Sequence, residues 1–229
     1  MTNLAVKEVA MRNKSAILLA AITLAAFASC ADPLSGDLGL YYPEDHFLFR
    51  TIDNGTAMEI TGYVGGRIDV RIPPYIRGLP VTVIGDFAFR GNEWDEDTEE
   101  WVSIKSITTV IIPYGVTQIG AFAFSNNQLA SITIPSSVIF IDIGAFFHNQ
   151  LANITIPGSV THIAFFAFAN NWLIGIGIGS DVTIYEAPPT WTFDGYDRFG
   201  DSFAPFYESQ GRMAGTYTYS NGTWIFQPR

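Results

Sequence analysis

The sequence predicts a short right-handed solenoid, a stack of coils of about 22 residues each, closed by a cap at either end. Three observations carry the prediction. Leu129-Ala-Ser-Ile132-Thr-Ile134-Pro135 returns 22 residues on as Leu151-Ala-Asn-Ile154-Thr-Ile156-Pro157, and after the same step as Leu173-Ile-Gly-Ile176-Gly-Ile178-Gly179. A second phrase, Val116-Thr-Gln-Ile119-Gly-Ala-Phe122-Ala123-Phe124, returns two periods later as Val160-Thr-His-Ile163-Ala-Phe-Phe166-Ala167-Phe168; the looser middle copy keeps Ala145 and Phe146 but has Gly144 in place of the first phenylalanine. Finally, the period stops after Val182, where an aromatic-rich stretch follows.

The half-repeat Leu-x-x-Ile-x-Ile alternates as a strand does, with its apolar residues turned inward and the residues between them facing out. A period of 22 falls in the leucine-rich range. The Asn or Cys usual three places after that strand is replaced by a Pro, followed by Val-Thr-x-Ile-Gly-x-x-Ala-Phe. From about residue 60 onward the chain thus resembles the BspA-type, or treponemal, leucine-rich-repeat family, whose pattern is IP-x-x-V-x-x-I-G-x-x-A-F. The resemblance implies a leucine-rich-repeat solenoid, mostly β though placed by convention among α/β folds. It also implies attachment to host or extracellular-matrix proteins.

Taken in order, residues 1–29 read as an export signal of lipoprotein type. Lys7, Arg12 and Lys14 precede an uncharged apolar run, and Met11 opens a tidier signal than Met1. That run is too short to cross a bilayer comfortably. It ends Ala26-Phe27-Ala28-Ser29-Cys30, and Cys30 is the only cysteine. Two readings are open. The segment resembles a bacterial lipobox, with Cys30 lipidated and anchoring the mature chain, or Ala26-Phe27-Ala28 is an ordinary A-x-A cleavage site. Either one exports the protein, to the cell surface or the periplasm, as a bacterial lipoprotein in the first case.

Residues 30–59 read as a tether passing into an N-terminal cap, 60–184 as the solenoid and 185–229 as the C-terminal cap. An earlier copy, Val81-Thr-Val-Ile84-Gly-Asp-Phe87-Ala88-Phe89, stands 35 residues before Val116, one period plus 13, which places an insertion at 93–105. Within a coil, Leu129, Ile132, Ile134, Val138, Ile141, Ala145 and Phe146 are expected inside, stacked on their counterparts, because one repeat cannot bury its own face. Asn92, Asn127, Asn149 and Asn171 form a column expected to hold buried backbone at a bend. Beyond the coils, Phe203 to Tyr207 suggests a short helix, and 215–226 a hairpin turning at Asn221-Gly222.

Binding is expected where solenoids offer it, on the outward positions of the strands. Those columns hold Asp69, Thr109, Ser131 and Asn153, and beside them Arg71, Ile111, Thr133 and Thr155. Trp94 and Trp101 in the acidic insertion are further candidates, since tryptophans are favoured interface anchors; the bland reading of that segment is a solvated loop. From 106 to 180 the only formal charge is Asp142. Without its export signal the chain keeps nine of twelve basic and 21 of 22 acidic side chains, a net of about minus 12. Such a surface disfavours nucleic acid.

No catalytic set emerges. His46, His148 and His162 stand in different columns, no pair has metal-ligand spacing, and Cys30 lies at the tether. The expectation is a non-enzymatic binding or adhesion protein with no cofactor and no metal. Its partner would be a protein, its membrane contact would be through the lipid anchor only, and it would bind no nucleic acid. Two other readings stay open: a carbohydrate-binding surface protein, and a periplasmic structural or assembly protein.

Overall fold

The computed structural model describes residues 42–95, 97–104, 106–185 and 198–228, all within one unit, Leu40–Arg229. Residues 1–29, read from the sequence as an export signal, and Cys30 lie outside these residues. The chain enters through a hairpin of β1 (Phe47–Ile52) and β2 (Ala57–Tyr63), turned by Asp53, Asn54 and Gly55, all at positive φ. There follow β3 (Asp69–Arg71), β4 (Tyr75–Ile76), β5 (Leu79–Ile84), β6 (Asn92–Asp95), β7 (Glu100–Ser103), β8 (Thr109–Ile111) and β9 (Gln118–Ile119). The rest of the stack holds β10 (Phe140–Ile141), β11 (Asn153–Thr155), β12 (His162–Ile163), β13 (Gly175–Ile178) and β14 (Thr183–Ile184). A short helix α1 (Ala204–Ser209) and the hairpin β15 (Gly215–Ser220) and β16 (Thr223–Pro228) complete it.

Two sheets run along the stack. One is the expected strand face: β3 pairs with β8 and β11 with β13, both parallel and in register one coil apart. Between the pairs, 131–135 carries no strand, although its side chains keep the same inward and outward alternation. The longer ladder lies in the other half of the coil, which the sequence did not mark as strand. There β2, β5, β9, β10, β12 and β14 pair in parallel, six rungs deep. Each rung contributes only two or three paired residues around the isoleucine of Val-x-x-Ile, such as Ile119 with Ile141 and Ile141 with Ile163. The final step shortens by one residue, since Ile163 pairs with Ile184.

Corners turn the coil between the two sheets. The carbonyls of Pro113, Pro135 and Pro157 accept from the N–H groups of Val116, Val138 and Val160 at 3.4, 3.0 and 3.1 Å. A proline suits that corner, where its missing donor costs no ladder bond. After each second-sheet rung the backbone goes left-handed, at Phe87, Phe122, Gly144 and Phe166, with φ of 58°, 52°, 57° and 59°. Glycine is the residue that adopts this conformation without strain, which accounts for Gly144 in the middle copy. The Phe122 ring lies over the space a side chain at Gly144 would fill.

The core is the column of inward residues. Leu129, Ile134, Val138, Ile141, Ala145 and Phe146 are buried as expected, and Ile132 is packed against the core but half-buried. Phe89, Phe124, Phe146 and Phe168 stack ring on ring, with centroids 5.0, 5.4 and 5.4 Å apart and planes within 12°. The column is closed at both ends. Phe47 and Tyr63 meet Phe89 on one side, and Phe199 and then Phe203 continue from Phe168 on the other.

The far end is capped by α1 and the last hairpin. β15 pairs antiparallel with β13, so the exposed edge of the strand face is covered. Asn221 and Gly222, both at positive φ, make the tight turn into β16. Tyr207 of α1 is buried, donates to the carbonyl of Gly179 at 2.7 Å and accepts from the N–H of Val182 at 3.2 Å. It thereby supplies the last coil with the partners a further coil would have offered.

Candidate functional site

A stack of like coils repeats its surface as well as its core, so candidate sites are columns. On the outward strand face, Thr109, Ile111, Ser131, Thr133, Asn153 and Thr155 are all exposed, with Ile111 at 43 %. Their inward neighbours Val110 and Ile154 are buried, which holds the face in place. The six form a neutral surface of hydroxyls, one amide and one aliphatic side chain.

At its first rung that face is different. Asp69 is half-buried and already engaged: Arg67 donates to it through two nitrogens at 3.1 and 2.9 Å, and the Tyr42 hydroxyl donates at 2.8 Å. Those hydrogen bonds, that of Arg67 first, hold the Asp69 carboxyl down at about 2. The Arg67 guanidinium also stands over the Tyr42 ring, 5.1 Å from its centre. This cluster fastens the N-terminal segment to the first coil, and Arg71 beside it is half-buried. The geometry separates Asp69 and Arg71 from the six exposed residues further along the column.

The insertion forms a hairpin, which the reading as a solvated loop did not anticipate. β6 and β7 pair antiparallel, with Trp94 and Trp101 opposite each other in register. Asp95 accepts from the backbone N–H groups of Asp97 and Thr98 at 2.9 and 3.0 Å, and Glu99 takes the left-handed conformation that closes the turn. A signal was present: two short stretches of mixed polar and apolar residues, each with one tryptophan, flank an Asp-rich turn.

The asparagine column is a working part of the stack. Asn149 is buried; its amide donates to the carbonyls of Phe124, Phe146 and Phe147 at 2.9, 3.1 and 3.3 Å, and its Oδ1 accepts from the N–H of Leu129 at 3.1 Å. Asn127 and Asn171 repeat the pattern on their own coils, accepting from Ile107 and Leu151. One side chain therefore bonds its own bend and the preceding coil. Asn92 departs from the column: it opens β6 and its Oδ1 accepts from Arg90 at 2.8 Å.

Along this bend runs a groove of about 610 Å³ over four coils, with Asn92 and Ser103 of the hairpin at one end and Trp172 at the other. Sequence reasoning missed it, because its lining comes from positions beside the asparagines rather than from a strand face. Asn126, His148 and Asn170 border it from left-handed corners, with φ of 56°, 53° and 55°. That position is one where Asn and His are favoured, so it also accounts for His148. His162 lies elsewhere, on the second sheet, its ring against Tyr185 at 5.8 Å. Among the described residues no group of His, Cys, Asp and Glu is placed to hold a metal ion, and no helix is long and apolar enough to cross a membrane.

Comparison with known proteins bears on the repeats. Residues 98–187 match the family described as BspA type leucine rich repeat region, in six copies. Among solved structures, the chain is similar to a leucine rich repeat protein of T. pallidum, at 26 % identity over 58 % of this chain and 58 % of that one, with a TM-score of 0.46. It is also similar to a leucine-rich repeat protein from Bacteroides capillosus, at 24 % identity over 62 % of this chain and 99 % of that one, TM-score 0.48. The matched region thus spans just over half the length of the treponemal protein. A comparison with curated proteins finds no match. Over residues 98–187, then, the mostly-β solenoid of this chain matches the BspA type leucine rich repeat region.

Proposed function

We propose that this chain is an exported, lipid-anchored, non-enzymatic repeat protein whose outward strand face binds a protein ligand, as in adhesion to host or matrix components. The observation that carries the reading is the face itself. Thr109, Ile111, Ser131, Thr133, Asn153 and Thr155 are exposed and uncharged, held at fixed spacing by a buried core that makes no other use of them. Such a surface suits contact with another protein, whose interface centre is depleted in charge. The acidic composition elsewhere, net charge −10 for the whole sequence, keeps the molecule soluble and repels anionic polymers.

Anchoring rests on Cys30 at the end of the export signal. Acyl chains on that thiol would hold firmly, each buried methylene contributing about 0.8 kcal/mol. Labelled palmitate should enter the wild-type protein and be absent from Cys30→Ala; equal labelling of both would refute the anchor. Protease treatment of intact cells distinguishes a surface protein, which is cleaved, from a periplasmic one, which survives until the outer membrane is opened.

Binding is tested by passing the mature chain over immobilised matrix proteins and host membrane fractions, beside the variant Ser131→Glu, Thr133→Glu, Asn153→Glu. These side chains are exposed, so the fold should persist by circular dichroism. Capture by the wild type and its loss in the triple variant supports the reading, and capture unaffected by three buried-upon-binding charges would sink it. Removal of 93–105 in a third sample reports whether the hairpin takes part.

A further inference from the structure

From the groove along the asparagine bend we infer a second site, which takes a short neutral oligosaccharide and is independent of the protein-binding face. Among the described residues its lining has no formally charged side chain, in a chain whose net charge is −10. Amides dominate instead, among them Asn126, Gln128, Gln150 and Asn170, with His148 between them. An amide carries a donor and an acceptor on one group, which is what a pair of neighbouring sugar hydroxyls requires. A phosphate or nucleic acid would need clustered cations, and the described lining residues include no Lys or Arg.

The groove is also built to stay open. Behind it, Asn127, Asn149 and Asn171 are buried and bonded to backbone on two coils, so the lining residues beside them are fixed before any ligand arrives. Preorganisation of this kind reduces the ordering that binding would otherwise require. Equivalent positions recur on successive coils, about 4.8 Å apart, giving four rungs a length of about 14 Å. A chain of like sugar units meets a row of like side chains, Gln128, Gln150 and then Trp172, which occupies the same column one coil on. Trp172 is 68 % exposed at the end of the row. An indole left in water at the rim of a polar groove offers a flat apolar face for the C–H side of a pyranose while its N–H stays wet.

The test uses the mature full-length chain and four neutral trisaccharides as probes: chitotriose, cellotriose, maltotriose and mannotriose, each titrated calorimetrically. At least one should bind at millimolar concentration or below. Trp172→Ala, which removes an exposed side chain and leaves the core intact, should weaken that binding about tenfold or more, and Trp172→Tyr should restore most of it. The pair Gln128→Ala, Gln150→Ala should weaken it too. The triple glutamate variant of the strand face should bind the sugar as the wild type does, so a failure of the protein-binding reading and a failure of this one are told apart. No binding by any of the four sugars, or equal binding by Trp172→Ala, overturns the proposal.

Discussion

At the scale of single residues, the stack depends on side chains that serve two coils at once. Asn149 accepts one buried N–H and donates to three carbonyls, and no apolar residue of its size replaces any of these bonds. Asn149→Ala should therefore destabilise the protein by about 3 kcal/mol, since each buried group left unpaired costs about 1–3 kcal/mol. Denaturant titration of the variant measures it, and a loss under about 1 kcal/mol would show that water replaces the amide. The repeating asparagine was legible because it kept the period. What the sequence did not show is that Asn92 leaves the column, since only the hairpin it opens gives its side chain a different partner. Nor did it show Asp69 clamped by Arg67 and Tyr42, because Tyr42 belongs to no repeat.

Among elements, the two sheets differ in how readily the sequence reveals them. The face holding β8, β11 and β13 announces itself through three inward positions per coil at alternating spacing. The ladder of β9, β10, β12 and β14 rests on two residues per coil, too few for a period-two pattern to register, and it becomes a sheet only when neighbouring coils align it. The helix and final hairpin were legible through local turn chemistry, the Asn221-Gly222 pair above all. Their attachment was not, since it runs through Tyr207 to Gly179 and through β15 to β13, contacts between distant parts of the chain.

That cap has a pH signature. Burial pushes the Tyr217 phenol up to about 12 from its ordinary 10.0, and Tyr207 is raised in the same direction for the same reason. Across that interval the unfolded chain has released a proton that the folded chain retains. The contribution of Tyr217 is thus complete below pH 10.0 and is lost as pH rises toward 12. Stability measured in denaturant should decline over this alkaline range, and Tyr217→Phe should decline less steeply. An identical slope in both proteins would show that the cap has already detached from the last coil.

For the whole molecule, hydrophobic burial is shared between neighbours. A coil alone exposes its phenylalanine, isoleucine and leucine faces; stacked, they lose contact with water at about 25 cal/mol for each square ångström of apolar surface. Stability therefore comes from interfaces, and the surface inherits the period of the core. The neutral strand face and the amide-lined groove are two consequences of one repeat, on different sides of the coil. The ligands themselves were not legible at this scale, because solenoids of one architecture present many surfaces and the chemistry lies in the outward residues alone.

The most direct measurement is thermal unfolding of two deletions. Removing Leu129 to Gln150 takes out one full period and joins Gln128 to Leu151, the residue that repeats Leu129. Removing Leu129 to Ile139 takes out half as many residues and joins two unlike positions. The one-period deletion should unfold cooperatively with a native-like circular dichroism spectrum and a lowered Tm, while the half-period deletion, although smaller, should not fold. Equal damage from both, or a folded half-period variant, would contradict a stack of interchangeable coils.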